Sequence, residues 1–137
     1  MRLVVDTNRI VAALVKDGVS RKIILHFDGE LITVGFGKKE IEAHRAEILE
    51  KAKISEVDFE LIMDKLFQRI VVLDDTVVTA YLVEAEKAMD KIDKADTIFI
   101  AAALATKSMI WSDDTHFKKQ KKIDVLTTKE LMERLGF

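Results

Sequence analysis

The chain has 137 residues, 49% apolar and 34% charged, with no cysteine and a formal net charge of −2. That length predicts one domain over residues 1–137 with a real core, and the composition excludes a disordered chain, a disulfide scaffold and a thiolate metal site. The charge balance also excludes a nucleic-acid grip that works by overall neutralisation, so any such contact must be local or run through bound cations.

In chain order, Leu3-Val4-Val5 reads as a buried strand, followed by a helix from Asn8 to Lys16 with Ile10, Val11, Leu14 and Val15 at helical spacing. Asp17-Gly18 ends it, Ser20 caps a second helix to about Phe27, and Leu31-Ile32-Thr33-Val34 is the second strand. Lys38 to Lys51 reads as one helix; Ser55 with Asp58 resembles a capping box opening another to about Phe67. Ile70-Val71-Val72-Leu73 is the third strand, and Thr76 to Ala88 is helical. Asp96 precedes a very apolar helix, Ile98 to Ala105; Met109-Ile110-Trp111 and Asp124-Val125-Leu126 are the last strands, and Thr128 caps a final helix through Leu135. The alternation predicts an α/β fold, a parallel sheet with helices on both faces. The N-terminal apolar run is too short for a signal peptide, and the stretch Thr97 to Thr106 falls short of the roughly 18 residues of a membrane span. A cytoplasmic location without a membrane partner is the expectation.

Open parallel sheets bind ligands beyond the carboxyl ends of their strands. Asp6 stands at the end of the first strand, and Asp113 and Asp114 at the end of the fourth. Asp93 and Asp96 share a face if the turn between them is helical, and Glu40 lies early in the helix after the second strand. Gathered carboxylates need a cation: two unit charges about 4 Å apart repel by roughly 4 kcal/mol at an effective dielectric of about 20. Oxygen-rich sites suit Mg²⁺ and Mn²⁺, and such an ion supplies the positive field that the chain lacks. Taken singly, each acid also reads as a helix cap or a solvated loop residue.

Asp6-Thr7-Asn8 after an apolar strand, Asp96 before Ile98-Phe99-Ile100-Ala101-Ala102-Ala103, and Trp111-Ser112-Asp113-Asp114-Thr115-His116-Phe117 together resemble a PIN domain. The resemblance spans nearly the whole chain. It implies a three-layer α/β/α fold with a five-stranded parallel sheet ordered 3-2-1-4-5, and an endoribonuclease dependent on Mg²⁺ or Mn²⁺ that hydrolyses RNA phosphodiester bonds. Members include the toxins of VapBC toxin–antitoxin pairs, whose partner is an antitoxin protein, and RNA-processing nucleases outside such systems. By position, Asp6, Asp96 and Asp114 match the first, third and fourth family acids, as catalytic residues and metal ligands. The second is a Glu on the helix after the second strand, where Glu40 is the choice and Glu42 the rival. Asp93 and Asp113 are additional acids nearby, while Thr7, Asn8 and Ser112 orient acids or water.

His44 reads as a partner of Glu40 or as an exposed histidine, His26 as half-buried packing, and Trp111 as core or as a base-stacking platform. RNA-contact candidates are Lys38, Lys39, His116, Lys118 and Lys119, against a solvated surface as the alternative. The helices Ser55–Phe67 and Thr76–Ala88 carry more apolar residues than one buried stripe needs, which suggests a homodimer. An aspartyl-nucleophile phosphatase fits less well, because Asp6-Thr7-Asn8 lacks a second Asp two residues on, and a receiver domain would have only Asp74 as phosphoacceptor. A non-catalytic PIN-type module binding nucleic acid or protein is the remaining alternative.

Overall fold

In a computed structural model, residues 1–89 and 91–136 are described. The short β-branched runs form five parallel strands: β1 (Arg2–Val5), β2 (Glu30–Val34), β3 (Ile70–Leu73), β4 (Met109–Trp111) and β5 (Val125–Leu126). Their order is 3-2-1-4-5. β1 lies in the middle, with Val4 opposite Ile32 on one side and Ile110 on the other. Parallel strands need crossover connections, and the intervening helices cover both faces of the sheet.

Alternation along the strands divides the core in two. Leu3, Val5, Leu31, Ile70 and Trp111 face α1 (Thr7–Val15), α2 (Val19–His26), α5 (Glu56–Phe67) and α9 (Thr128–Leu135). Val4, Ile32, Val34 and Ile110 face α6 (Asp75–Thr79), α7 (Leu82–Met89) and α8 (Thr97–Thr106). α8 is apolar on all sides because it is the central helix of its layer, with Phe99 to Ala103 all buried. Burying each large aliphatic side chain contributes about 1.5–3 kcal/mol. No described helix is long and apolar enough to cross a membrane.

Five sequence expectations are corrected. The helix over residues 38–51 is two, α3 (Gly35–Ala43) and α4 (Arg45–Ala52). His44 leaves helical geometry, its N–H shared among the carbonyls of Glu40, Ile41 and Glu42, and the break re-aims α4 so that Ile48 and Leu49 join the core on α1. The helix over 76–88 likewise divides into α6 and α7 around Ala80 and Tyr81, and begins at a cap made by Asp74. Ser20 does not cap α2; Gly18 holds that position, and the buried Ser20 hydroxyl accepts from Arg9 Nη1 at 3.4 Å. Thr127, not Thr128, caps α9, in a reciprocal capping box with Glu130. The Thr128 hydroxyl is occupied: it donates to Asp113 Oδ2 at 2.7 Å and accepts from Trp111 Nε1 at 3.0 Å. His26 is exposed rather than packed, and Trp111 is fully buried, as core.

Candidate metal centre at the carboxyl edge of the sheet

Because β1 and β4 pair in register, Val5 lies opposite Trp111, and the residues that follow them emerge side by side. Asp6 is the N-cap of α1, its Oδ1 accepting from Asn8 N at 3.4 Å. Its Oδ2 accepts from the Ser112 hydroxyl at 2.7 Å. The same Ser112 oxygen accepts from Asp114 N at 3.0 Å, so one buried hydroxyl ties the two acids together. Asp114 caps the 3₁₀ turn Thr115–Lys119 through His116 N, at 2.9 Å.

On the far side of Asp114 is a second group. His116 Nδ1 is 3.5 Å from Asp114 Oδ1 and 3.1 Å from Asp93 Oδ2. Asp93 also accepts from Ala95 N at 3.0 Å, in the turn that leads into a 3₁₀ segment ending at Asp96. Asp93, Asp96 and His116 each present a ligand atom within 4.8 Å of the others. Asp96 stands at the N-cap position of α8 but makes no side-chain cap hydrogen bond, and its Oδ2 is sealed from solvent without a partner.

The electrostatics record the crowding. Burial raises the Asp6 carboxyl above its ordinary range, partly offset by the Ser112 and Asn8 hydrogen bonds; Asp114 pushes it further up and Arg9 pulls it down. Asp96 is pushed up to about 7, first by burial and then by the charges of Asp93, Asp114 and Asp6. An orphaned carboxylate oxygen among like charges fits a hard divalent cation, and the surrounding donors are carboxylates with one imidazole. The residues present therefore suit Mg²⁺ or Mn²⁺.

Glu40 is placed apart. It is exposed, on the wall of a neighbouring cavity of about 230 Å³ shared with Thr7, Asn8, His44 and Lys51. The charges acting on Asp6 and Asp96 come from other residues. Asn8 is the hinge between the two spaces, since it also lines a cavity of about 270 Å³ with Asp6, Arg9, Asp113 and Asp114. The rival Glu42 is exposed and is not on the Glu40 wall. α3 comes close to α1 at Gly37, where an added Cβ would meet the buried Thr7 hydroxyl oxygen at 2.8 Å. His44 pairs with Glu47 at 3.5 Å.

Asp113 anchors structure: it accepts from Thr128 N at 2.6 Å and pairs with Arg9 at 2.8 Å. Of the lysines, Lys38 sits over the Phe67 ring at 5.0 Å, Lys118 pairs with Glu130, and Lys119 and Lys39 are exposed. Sequence reasoning passed over Arg9, although a lone charge in an apolar helix one turn after Asp6 was a visible signal.

A parallel sheet ordered 3-2-1-4-5 with acids converging beyond β1 and β4 defines a class of α/β proteins with a carboxylate-lined edge that could hold a metal ion. The PIN domain family signature matches residues 4–135, and the chain belongs to that family. A solved structure of similar fold, titled "Crystal structure of VapBC2 from Rickettsia felis bound to a DNA fragment from their promoter", includes a chain 16% identical to this one. Its TM-score is 0.70, over 93% of this chain and 98% of that one. No curated protein matches the chain in sequence.

Proposed function

We propose that residues 1–137 form one PIN-type domain that acts as a divalent-metal-dependent endoribonuclease and serves as the toxin of a toxin–antitoxin pair. The observation that carries this reading is Asp96: a carboxylate with a sealed, unpartnered oxygen, surrounded by Asp93, Asp114 and Asp6. Membership of the PIN family supports nuclease chemistry, and likeness to a VapBC2 chain supports an antitoxin partner.

Asp6, Asp96 and Asp114 would hold Mg²⁺ or Mn²⁺, with Asp93 and His116 within reach. The chemistry supplied there would be that of a Lewis acid for phosphodiester hydrolysis, charge neutralisation of the phosphate and a more acidic water. The chain's own residues supply the order. Ser112 and the Asn8 N–H fix both oxygens of Asp6, so its lone pairs stay aimed without reorganisation. The backbone at Asp114 is held by the same hydroxyl, and His116 N holds Asp114 Oδ1. The exposed Asn8 side chain, Glu40 and His44 line the path of the RNA away from the acids. Lys39 and Lys119 are left to meet backbone phosphates, which positions RNA without reading sequence.

The decisive test is incubation of a mixed RNA pool with Mn²⁺, with EDTA and with the Asp6→Asn variant. Cleavage only by wild type with metal is the expected result; cleavage that survives both EDTA and Asp6→Asn rejects the reading.

The chain is further proposed to form a homodimer. Val57 and Leu61 on α5 are 69% and 54% exposed, and Val83 on α7 is 67% exposed, which is more apolar surface than a solvated helix needs. Light scattering at high micromolar concentration should give twice the chain mass; a monomer there removes the proposal.

A further inference from the structure

Arg9 is the one charged residue of α1, and it lies one turn beyond Asp6. Its side chain is only 21% exposed. Nη1 is 2.8 Å from Asp113 Oδ2 and 3.4 Å from the Ser20 hydroxyl, and Nε is sealed from solvent without a hydrogen bond. Asp113 is itself held by α9, Oδ1 by Thr128 N and Oδ2 by the Thr128 hydroxyl, and that hydroxyl is held in turn by Trp111 at the end of β4. The guanidinium is thus clamped from α2 and α9 while it lines the cavity of Asp6, Asn8, Asp113 and Asp114, as the only cation among those lining residues.

Such rigidity is more than solubility or helix formation requires. A long side chain held at one end loses its ordering entropy before a ligand arrives. Both clamping contacts are made at Nη1, and Nη2 is the nitrogen that the ligand would take. A planar guanidinium suits the non-bridging oxygens of a phosphodiester better than an ammonium does. The three carboxylates around it repel an anion until a divalent cation offsets them, so the grip and the metal should act together.

We infer that Arg9 is a phosphate-binding residue of this site, holding one backbone phosphate of single-stranded RNA beside the carboxylates, with Asp113 and Ser20 as its positioning residues. The inference rests on the nuclease reading but makes a separate claim about which side chain meets the substrate.

Its test is binding rather than turnover. Anisotropy of a short labelled single-stranded RNA is followed on the otherwise wild-type protein with Ca²⁺, an oxygen-liganded cation, in place of Mg²⁺, across a salt series. Each phosphate contact on a single strand contributes about 0.7 to the slope of log affinity against log salt. Adding Arg9→Gln should weaken binding about tenfold and flatten the slope by about 0.7. Arg9→Lys keeps the slope while losing part of the affinity, and it serves as the folded comparison if Arg9→Gln is unstable. An unchanged slope in Arg9→Gln, with affinity falling only as the melting temperature falls, would make Arg9 a structural clamp and overturn the inference. If wild type cuts RNA while Arg9→Gln keeps the full slope, this inference alone fails. A wild type that neither binds nor cuts RNA removes both readings.

Discussion

The two halves of the acid cluster are built differently. At the β1–β4 edge, both Asp6 oxygens have protein donors, Ser112 and the Asn8 N–H, and Asp114 is held through the same serine and through His116 N. Across the gap, Asp96 ends a 3₁₀ segment, makes no cap bond and buries an oxygen with no partner. Asp6 is more buried, yet Asp96 is the acid whose upward shift is large enough to reach about 7. Hydrogen bonds to the charged form offset desolvation where they exist, and their absence leaves the charge uncompensated. One half of the cluster is therefore satisfied by protein donors, while the other keeps a carboxylate oxygen without one, which is what the proposed cation site would need.

Asp6→Asn breaks the satisfied half and has the largest expected effect. Cleavage should drop to background because a charged ligand is lost, while the amide keeps an acceptor for Asn8 N and the cap survives. Without metal the variant should melt at or above wild type, since a like charge has gone. Persisting cleavage in a strongly destabilised protein would instead make Asp6 a purely structural acceptor.

Gly37→Ala tests the flank that carries Glu40. The new methyl would lie 2.8 Å from the Thr7 oxygen, so α3 must shift away from α1. Overpacking of this kind costs about 1–3 kcal/mol, read as a lower denaturation midpoint. RNA cleavage should fall less than in Asp6→Asn, because the acids at the strand ends stay in place. A variant as stable as wild type would show that the helices do not meet so closely.

A smaller effect appears in the pH dependence of the metal-free protein. Asp96 has a folded pKa of about 7, against an ordinary value of 3.8. Between these limits the native state binds the extra proton, so stability falls as pH rises through the interval. The stabilisation is fully present below the lower limit and gone above the upper one. Chemical denaturation in EDTA should show wild type losing stability relative to Asp96→Asn from about pH 4 to about pH 7. A difference that does not change across that range would place Asp96 in solvent.

Much of this was legible from sequence, for local reasons. Apolar runs ending in Asp mark strand ends, so Asp6 and Asp114 could be placed on one edge as soon as β1 and β4 were taken as neighbours. The very apolar stretch after Asp96 has no reading except a buried central helix. What sequence did not disclose depends on contacts between distant segments. The break at His44 arises because α4 must pack on α1. The capping role passed from Thr128 to Thr127 because Asp113 and Trp111, on another element, claim the Thr128 hydroxyl. The clamp on Arg9 joins residues from both ends of the chain, and no local pattern announces it. Glu40 was chosen by resemblance, as a Glu early in the helix after β2, and a place along α3 does not fix the distance to Asp6.

The most direct measurement is a Mn²⁺ titration of wild type and Asp96→Asn at pH 8, followed by thermal unfolding. Wild type should gain stability continuously with metal, by about 2.7 kcal/mol at about 100 times the dissociation constant. Asp96→Asn should start at or above metal-free wild type and gain little, because the unsatisfied half of the cluster has lost its charge. Equal gains in both proteins, or none in wild type, would contradict a metal centre built on Asp96.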